Sequence, residues 1–468
     1  MKKIVLVIFT VFFIHVANAQ EKTLQLSLKE AINYALKNNY NTKIAKNDIK
    51  KAKEIVRETT ASGLPQVNAR LDYQNFLKQP VSLLPAAAFD NRESIVNTVE
   101  DFFDINRESS PAEAEGFIPV VFGTKQNLNA SVTLTQLLFD GSYIVGLQAS
   151  KTFLKISEQA EEKTVLLTRE AVINAYGNVL VTEKSIEILE ANIKILTQNF
   201  RDAQKIYENG FNEEEDVEQL EITLGNLKNQ RNSVIRMKEI AYQMLNISLG
   251  SSINTELLLT DSLDGLAENN INLELIGKTF DFSNHIDFKI SENDRETKRL
   301  MVKLEQSKAL PSLTAFVNYG KQAFSDSFTF LNNNQQWFDS SLLGISLNVP
   351  IFSSFSRKAK TAQAKIALNI ADIRLEETKQ KLSLQAQKAK NEYQLSIENY
   401  QTLKRNVNLA QRIEKKQRVK FFEGISSSFD LLQAQNQLYA QQQNYIQSML
   451  TIIAKKATLE NALNLQIK

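Results

Sequence analysis

The sequence contains an internal duplication, and this duplication limits the possible folds more than any other feature. Matching residues recur 246 positions apart early in each repeat and 213 or 214 positions apart later. The matched pairs include Asn39 with His285, Lys43 with Lys289, Pro65 with Pro311, Phe139 with Phe352, Gly210 with Gly424, and Asp216 with Asp430. Because the offset falls from 246 to 213, the first repeat carries 33 extra residues, within about residues 75–125. Such self-similarity predicts two copies of one supersecondary unit.

Each repeat contains a very long helix that ends at the same kind of turn. We predict helices from about Gly141 to Gly210 and from about Ser356 to Gly424, each roughly 100 Å long at 1.5 Å per residue. Apolar side chains recur every seven positions in the first helix, at Val165, Val172, Val179, Ile186, Ile193, Phe200 and Tyr207. A strict heptad predicts coiled-coil packing, and none of the prolines interrupts either helix.

Two amphipathic strands precede each long helix. Apolar and polar residues alternate along residues 67–73 and 127–134, and again along 313–319 and 343–351. Alternation with a period of two predicts strands with one apolar and one polar face. The polar face includes Asn68, Arg70, Asp72, Asn129, Thr133, Thr314, Asn318 and Asn348, which would line the lumen if the strands formed a pore.

Four strands are too few to close a barrel, which needs about eight even for an interior filled by side chains. An open sheet also leaves backbone groups unpaired at both edges, and these cost several kcal/mol each in hydrocarbon. Two arrangements therefore remain. The apolar face packs on other protein in water, as in a soluble sandwich, or several chains share one barrel in a membrane.

The N-terminus has the pattern of an export signal. Lys2 and Lys3 precede an apolar run, and Ala17-Asn18-Ala19 resembles a cleavage site, which predicts a signal peptide at residues 1–19. Lysine and arginine number 55 against 53 acidic residues, so no basic surface for nucleic acid is expected. With no cysteine and two histidines, the sequence offers no evident catalytic or metal-binding constellation. We expect neither an enzyme nor a cofactor.

One segment resembles a known family. Residues 26–73, LSLKEAINYALKNNYNTKIAKNDIKKAKEIVRETTASGLPQVNARLDY, combine a capping box at Ser27 and Glu30, an A-x-x-x-A-L-x-N-N core, and a helix leading into Leu-Pro and a strand. This order is similar to the N-terminal signature of TolC-like outer membrane efflux proteins. The repeated aromatic–x–x–Gly–x₅–Asp turn resembles the hairpin tips of the same family. The likeness extends from about Leu24 to Leu465.

The resemblance implies a mainly α-helical, internally duplicated fold with a β-barrel part. Long coiled-coil helices would form an α-barrel tunnel in the periplasm, and four strands per chain would join a shared 12-stranded barrel in the bacterial outer membrane. The implied assembly is a homotrimer that works with a periplasmic adaptor protein and an inner-membrane pump of RND or ABC type. It would export small molecules such as drugs or metals. A channel for type I protein secretion and a non-pore periplasmic coiled-coil scaffold remain as alternatives.

These expectations divide the chain into the signal peptide at 1–19, a first repeat at 20–245, an inter-repeat equatorial segment at 246–280, and a second repeat at 281–468. The first repeat contains a single helix from Ser27 to about Thr60 and a long extracellular loop at about 75–125. The second contains a shorter loop at about 320–338. The hairpin tips fall at about 207–216 and 421–430.

The resemblance also assigns roles at the two tips. Adaptor docking is expected at Gly210, Phe211, Asp216, Gly424 and Ile425, and a periplasmic constriction at Asp430 and Gln433. Glycine permits the reversal of the chain, and the aspartate is expected to cap the returning helix at one tip at least. Gln433 stands where many relatives carry an acid, and Ser426 and Phe421 stand where some relatives latch the tip with arginine and tyrosine.

Overall fold

The computed structural model describes residues 24–89, 91–106, 115–211 and 213–465, so the predicted signal peptide lies outside the described residues. The chain divides into two compact units. The helical unit contains the described residues up to Val56, then Gln148–Lys303, then Ala359 onward. The strand unit contains Arg57–Leu147 and Leu304–Lys358. Each unit draws segments from both sequence repeats.

Long helices dominate the described chain. In chain order, the α-helices are α1 Leu28–Asn38, α2 Tyr40–Ala61, α3 Arg92–Phe103, α4 Gly141–Glu208, α5 Glu214–Leu249, α6 Leu263–Asn269, α7 Glu274–Gly277, α8 Ile286–Ser307, α9 Ser356–Phe422 and α10 Ser428–Ala462. Helices α4 and α9 are the two long helices predicted at about 141–210 and 356–424. Over the described ranges, no helix combines the length and the apolarity needed to cross a membrane.

The strands form one large sheet and two small ones. In chain order they are β1 Leu24–Leu26, β2 Gln66–Asn75, β3 Val81–Pro85, β4 Phe117–Val121, β5 Gln126–Asp140, β6 Leu257–Leu259, β7 Ser312–Ser325 and β8 Phe338–Asn348. The large sheet has the order β2-β5-β7-β8 and is antiparallel throughout. Its outer strands, β2 and β8, each pair with one neighbour only. The sheet therefore presents two edges with unpaired backbone groups.

The second-repeat strands differ in length from the sequence prediction. Strand β7 continues to Ser325, so the loop to β8 covers residues 326–337 and not 320–338. Strand β8 ends at Asn348, so Val349 and Ile351, which the alternation placed on the strand, lie beyond it. The alternation continued past the last ladder pair, Ser312 with Asn348, because period-two patterning does not itself mark where pairing stops.

The long loop of the first repeat has secondary structure of its own. Strands β3 and β4 pair as an antiparallel hairpin, and helix α3 lies between them in sequence. Four of the five large apolar side chains of α3 are exposed, namely Ile95, Val99, Phe102 and Phe103, whereas Val96 is partly buried. Sequence reasoning recorded an acidic loop here and missed these elements.

The first helix is broken where the sequence predicted one helix to about Thr60. Asn39 separates α1 from α2, and its Oδ1 accepts a hydrogen bond from the backbone N–H of Asn41 at 2.8 Å. The equivalent residue in the second repeat, His285, precedes α8, and its Nδ1 accepts from the backbone N–H of Asp287 at 3.1 Å. Burial lowers the pKa of His285, which keeps the imidazole neutral and able to accept. Both repeats thus start a helix at this position with a side-chain cap.

The returning helices of both hairpins end alike. Gly250 and Asn464, 214 residues apart, have φ values of 77° and 52°. After each, a backbone N–H closes a Schellman motif, from Ser251 to Asn246 at 3.0 Å and from Leu465 to Glu460 at 2.8 Å. Each end is also tied to the start of its own repeat. The Nδ2 of Asn39 donates to the carbonyl of Ser248, and the Nδ2 of Asn464 donates to that of Asn284.

Two buried tyrosines fasten the short segments of the helical unit to its long helices. The hydroxyl of Tyr176 lies 3.0 Å from both the Leu26 carbonyl and the Asp261 carboxylate. The hydroxyl of Tyr393 donates to the Asn270 carbonyl. Both tyrosines lie in the main apolar core, which packs α4, α5, α9 and α10 against α1 and α6.

Candidate functional site

The first candidate surface is formed by the two hairpin tips, which we call tip 1 (residues 207–216) and tip 2 (residues 421–430). Gly210 and Gly424 follow α4 and α9 with φ values of 77° and 69°. At tip 1, Phe211 N–H donates to the Ile206 carbonyl at 3.0 Å, and at tip 2, Ile425 N–H donates to the Lys420 carbonyl at 2.8 Å. Both tips are therefore Schellman turns, in which a left-handed residue is required and glycine is favoured.

The returning helices begin differently at the two tips. At tip 2, Ser427 is the N-cap of α10 and forms a capping box with Asp430, whose carboxylate accepts from the Ser427 N–H at 3.3 Å. At tip 1, the equivalent N-cap is Glu213, which makes no side-chain cap. Asp216 occupies the third position of α5, and among the described residues its carboxylate accepts no capping hydrogen bond. The expected aspartate cap is thus present at tip 2 and absent at Asp216, because glutamate replaces the serine that completes the box.

Replacing Ser427 with alanine is expected to lower the free energy of unfolding of the tip 2 hairpin by about 1 kcal/mol, since an N-cap contributes roughly that much. The reverse change at the equivalent position, Glu213→Ser, should stabilise tip 1 by a similar amount. Thermal unfolding of the detergent-solubilised proteins, followed by circular dichroism, measures both. Equal melting temperatures for the two variants would contradict this account of the caps.

The tips present apolar side chains to solvent. Phe211 is 83% exposed, Ile425 is 72% exposed and Phe429 is 67% exposed. The sequence singled out the first two through their place beside the glycines. It missed Phe429, although an aromatic residue directly before the capping aspartate was visible. Large exposed apolar groups at a turn mark a surface for protein contact.

Asp430 and Gln433 lie three residues apart on α10 and therefore share one face of the helix. Gln433 is exposed and Asp430 is partly buried by its capping contacts. Ser426, where some relatives carry arginine, has a buried hydroxyl that finds no hydrogen-bond partner among the described residues. The geometry brings the two predicted constriction residues together on one helix.

The second candidate surface is the large sheet. The odd-numbered side chains of β2, β7 and β8 and the even-numbered ones of β5 make its apolar face. This face includes Val67, Leu71, Tyr73, Val132, Leu134, Val317, Tyr319, Leu343, Ile345 and Leu347, all between 40% and 74% exposed. Soluble monomers rarely expose a continuous apolar surface of this kind.

Aromatic side chains lie at both ends of the apolar face. At the loop end, Tyr73, Phe328 and Phe330 form a cluster with ring centroids 5.5–6.0 Å apart. Near the other end, Phe352 and Phe355 follow β8 with centroids 6.0 Å apart, and both are exposed. Aromatic residues flanking an outward apolar band are typical of strands that cross a bilayer.

The opposite face carries all eight predicted lumen residues. Ladder pairs align Asn68 with Thr133 and Thr133 with Asn318, and the Asn318 side chain donates to the Thr133 hydroxyl at 2.6 Å. The same face also holds Phe316 and Leu342, which sequence reasoning passed over. Phe316 covers the bare backbone of Gly344 on the neighbouring strand, so the face is polar with one apolar patch. Over the described ranges, no cluster of three or more histidine or acidic side chains could hold a metal ion.

Comparison with known proteins finds one matching family model. Residues 283–465, which cover most of the second repeat, match the family model described as "Outer membrane efflux protein". This part of the chain is similar to outer membrane efflux proteins. None of the curated protein sequences matches the chain.

Solved structures show the same fold along nearly the whole chain. The outer membrane protein VceC from Vibrio cholerae is 15% identical with a TM-score of 0.67, over 93% of this chain and 95% of its own. The Campylobacter jejuni CmeC outer membrane channel is 17% identical with a TM-score of 0.69, over 96% and 90%. The Neisseria gonorrhoeae MtrE outer membrane channel, in its open state, is 16% identical with a TM-score of 0.66, over 96% and 93%. The TolC-like fold predicted from the sequence is confirmed.

Proposed function

We propose that this chain is an outer membrane efflux protein and forms one subunit of a passive homotrimeric duct that carries small molecules out through the outer membrane. The observation that supports this most directly is that the four-stranded sheet is open at both edges. Four strands expose an apolar face and leave both edges, β2 and β8, without partners. In hydrocarbon such edges must pair with other copies. The duct needs no catalytic residue, because it only provides a path.

Three copies fit this requirement better than two. Two copies supply eight strands, and a barrel of about that size is filled by its own side chains. Three copies supply twelve and leave an open bore. Its wall would present Asn68, Arg70, Asp72, Asn129, Thr133, Thr314, Asn318 and Asn348, whose small and mixed polar side chains suit a solvated, unselective path.

We assign the two tips to partner contact and constriction. Gly210, Phe211, Asp216, Gly424 and Ile425 would receive a periplasmic adaptor protein, which links the duct to an inner-membrane pump. The exposed apolar side chains and the solvent-open glycines support this role. With three copies, Asp430 and Gln433 would form rings around the periplasmic opening.

The deciding experiment combines assembly with conductance. The mature protein should require detergent for extraction, should have the mass of three chains, and should form ion-conducting channels in planar bilayers. A coiled-coil scaffold would extract without detergent and conduct nothing. A water-soluble monomer with a protected sheet would contradict the proposal.

Replacing Asp430 with asparagine should weaken the cation preference of single channels, because a ring of carboxylates attracts cations and repels anions. Asparagine keeps an oxygen for the Ser427 cap, so the fold should survive. Reversal potentials in a salt gradient measure the preference. The matched control is Asp216→Asn at tip 1, which should leave the cation preference unchanged. Unchanged selectivity in Asp430→Asn would remove this residue from the constriction.

A further inference from the structure

A groove lies on the apolar face of the sheet, near the end where the loops emerge. It encloses about 570 Å³ and is lined chiefly by Leu71, Ala130, Val132, Tyr319, Lys321 and Trp337. The residues that line the groove all belong to one chain, on β2, β5 and β7 and just before β8. It therefore exists without a contribution from a second copy.

The ladder explains why a groove forms here. One row across the three strands places Ala130 between Leu71 and Lys321. The next row places Val132 between Ala69 and Tyr319. The methyl group of Ala130 lies between two long side chains and leaves a depression there. Small and large residues alternate from one row to the next, so the depression extends diagonally across the strands. Trp337, just before β8, supplies a wall.

We propose that this groove binds one acyl chain of an anionic lipid, with the lipid phosphate on Lys321. The proposal rests on the proposed function, which places this face in the outer membrane. Apolar walls suit hydrocarbon, and Tyr319 and Trp337 are residue types that settle at the boundary between membrane and water. Two charged residues line the groove: Lys321, whose ammonium group is on the apolar face at the loop end, and Arg70, whose position on β2 directs its side chain to the opposite face.

Lys321 can hold a phosphate oxygen while it remains paired with Asp339. Its ammonium group lies 3.3 Å from the carboxylate of Asp339 on the neighbouring strand, and both side chains are about half exposed. An exposed pair of this kind contributes little to stability. An ammonium group has three N–H donors, so the contact with Asp339 still leaves a donor for a lipid phosphate.

The chain contains a built-in reporter, because Trp337 is its only tryptophan. The full-length trimer is reconstituted in vesicles that contain either brominated phosphatidylglycerol or brominated phosphatidylcholine, each in a background of the other unbrominated lipid. Bromine quenches indole emission on contact. We expect the anionic lipid to quench Trp337 at a several-fold lower mole fraction than the zwitterionic lipid.

Two pairs of variants separate the phosphate contact from the acyl contact. Lys321→Gln should abolish the preference for the anionic lipid, whereas Lys125→Gln, which removes an exposed lysine beside β5, should retain it. Ala130→Phe fills the groove and should reduce quenching by both lipids. Its control is Ala315→Phe, on the same face but outside the groove.

Equal quenching by the two lipids in the unaltered protein would show general annular contact only and would overturn the site. Retention of the preference in Lys321→Gln would equally overturn the phosphate contact. Absence of quenching by any lipid would show that Trp337 does not meet the bilayer. That result contradicts the membrane placement itself, and it differs from failure of the lipid site alone.

Discussion

Replacing Gly250 with alanine is expected to prevent the protein from accumulating in the membrane. Gly250 has a φ of 77°, a conformation that costs other residues about 1–2 kcal/mol. An added Cβ would also lie 2.3 Å from the backbone oxygen of Asn38. That oxygen belongs to the end of α1 and cannot rotate away as a side chain could. We expect a total loss of about 4 kcal/mol or more, which is a large part of the stability of a typical domain.

The measurement is the amount of protein in the membrane fraction, with the thermal unfolding of any that can be extracted. The control is Asn464→Gly at the equivalent position of the second repeat. Glycine adopts the left-handed conformation freely there, and only the hydrogen bond to Asn284 is lost, at about 1 kcal/mol. Normal accumulation of Gly250→Ala would contradict this account. It would show that the backbone at Asn38 can move away from Gly250 at little cost in free energy.

Replacing Gly424 with tryptophan is expected to abolish export while trimers still assemble. Gly424 lies at the outermost turn of tip 2, and a Cβ added there would meet nothing within 4 Å. The new side chain would therefore point into solvent and disturb no packing within the chain. Only a partner that docks on the tip would meet it. Export of a fluorescent dye from cells, beside the oligomeric state of the extracted protein, measures the two effects separately.

Gly424→Ala is the matched control for this change. It imposes the same left-handed strain, with φ at 69°, but adds almost no bulk. Export should survive in this variant, because the strain costs only about 1–2 kcal/mol at an exposed turn. Normal export by the tryptophan variant would exclude docking at tip 2. Loss of export in both variants would assign the defect to the turn and not to a blocked partner.

Features with a short sequence period were predictable. Helix α4 follows a heptad, and the lumen residues of β2 share a face because alternate side chains point to one side of a strand. The turn glycines were predictable for a similar reason, since Gly210 and Gly424 each follow a long helix and glycine is the usual left-handed residue there. Because the sequence is duplicated, the strand faces and turn glycines of one repeat could be checked against those of the other.

Features that depend on distant residues were not predictable. Asn39 breaks the first helix because its side chain caps α2 and also bonds the Ser248 carbonyl, 209 residues away. Phe316 lies on the polar face because Gly344, on the next strand, leaves room for its ring. The groove beside Lys321 requires the register of three strands. None of these contacts has a local sequence period that marks it.

The unpaired edges of the sheet have a genetic consequence. If neighbouring subunits complete one barrel, then β2 of one copy pairs with β8 of the next. A defect in one copy then affects the whole assembly. A cell that expresses both an intact and a damaged allele would assemble oligomers that contain both kinds of subunit. Alleles that fold but block the passage should then act as dominant negatives, whereas alleles that never fold should be recessive.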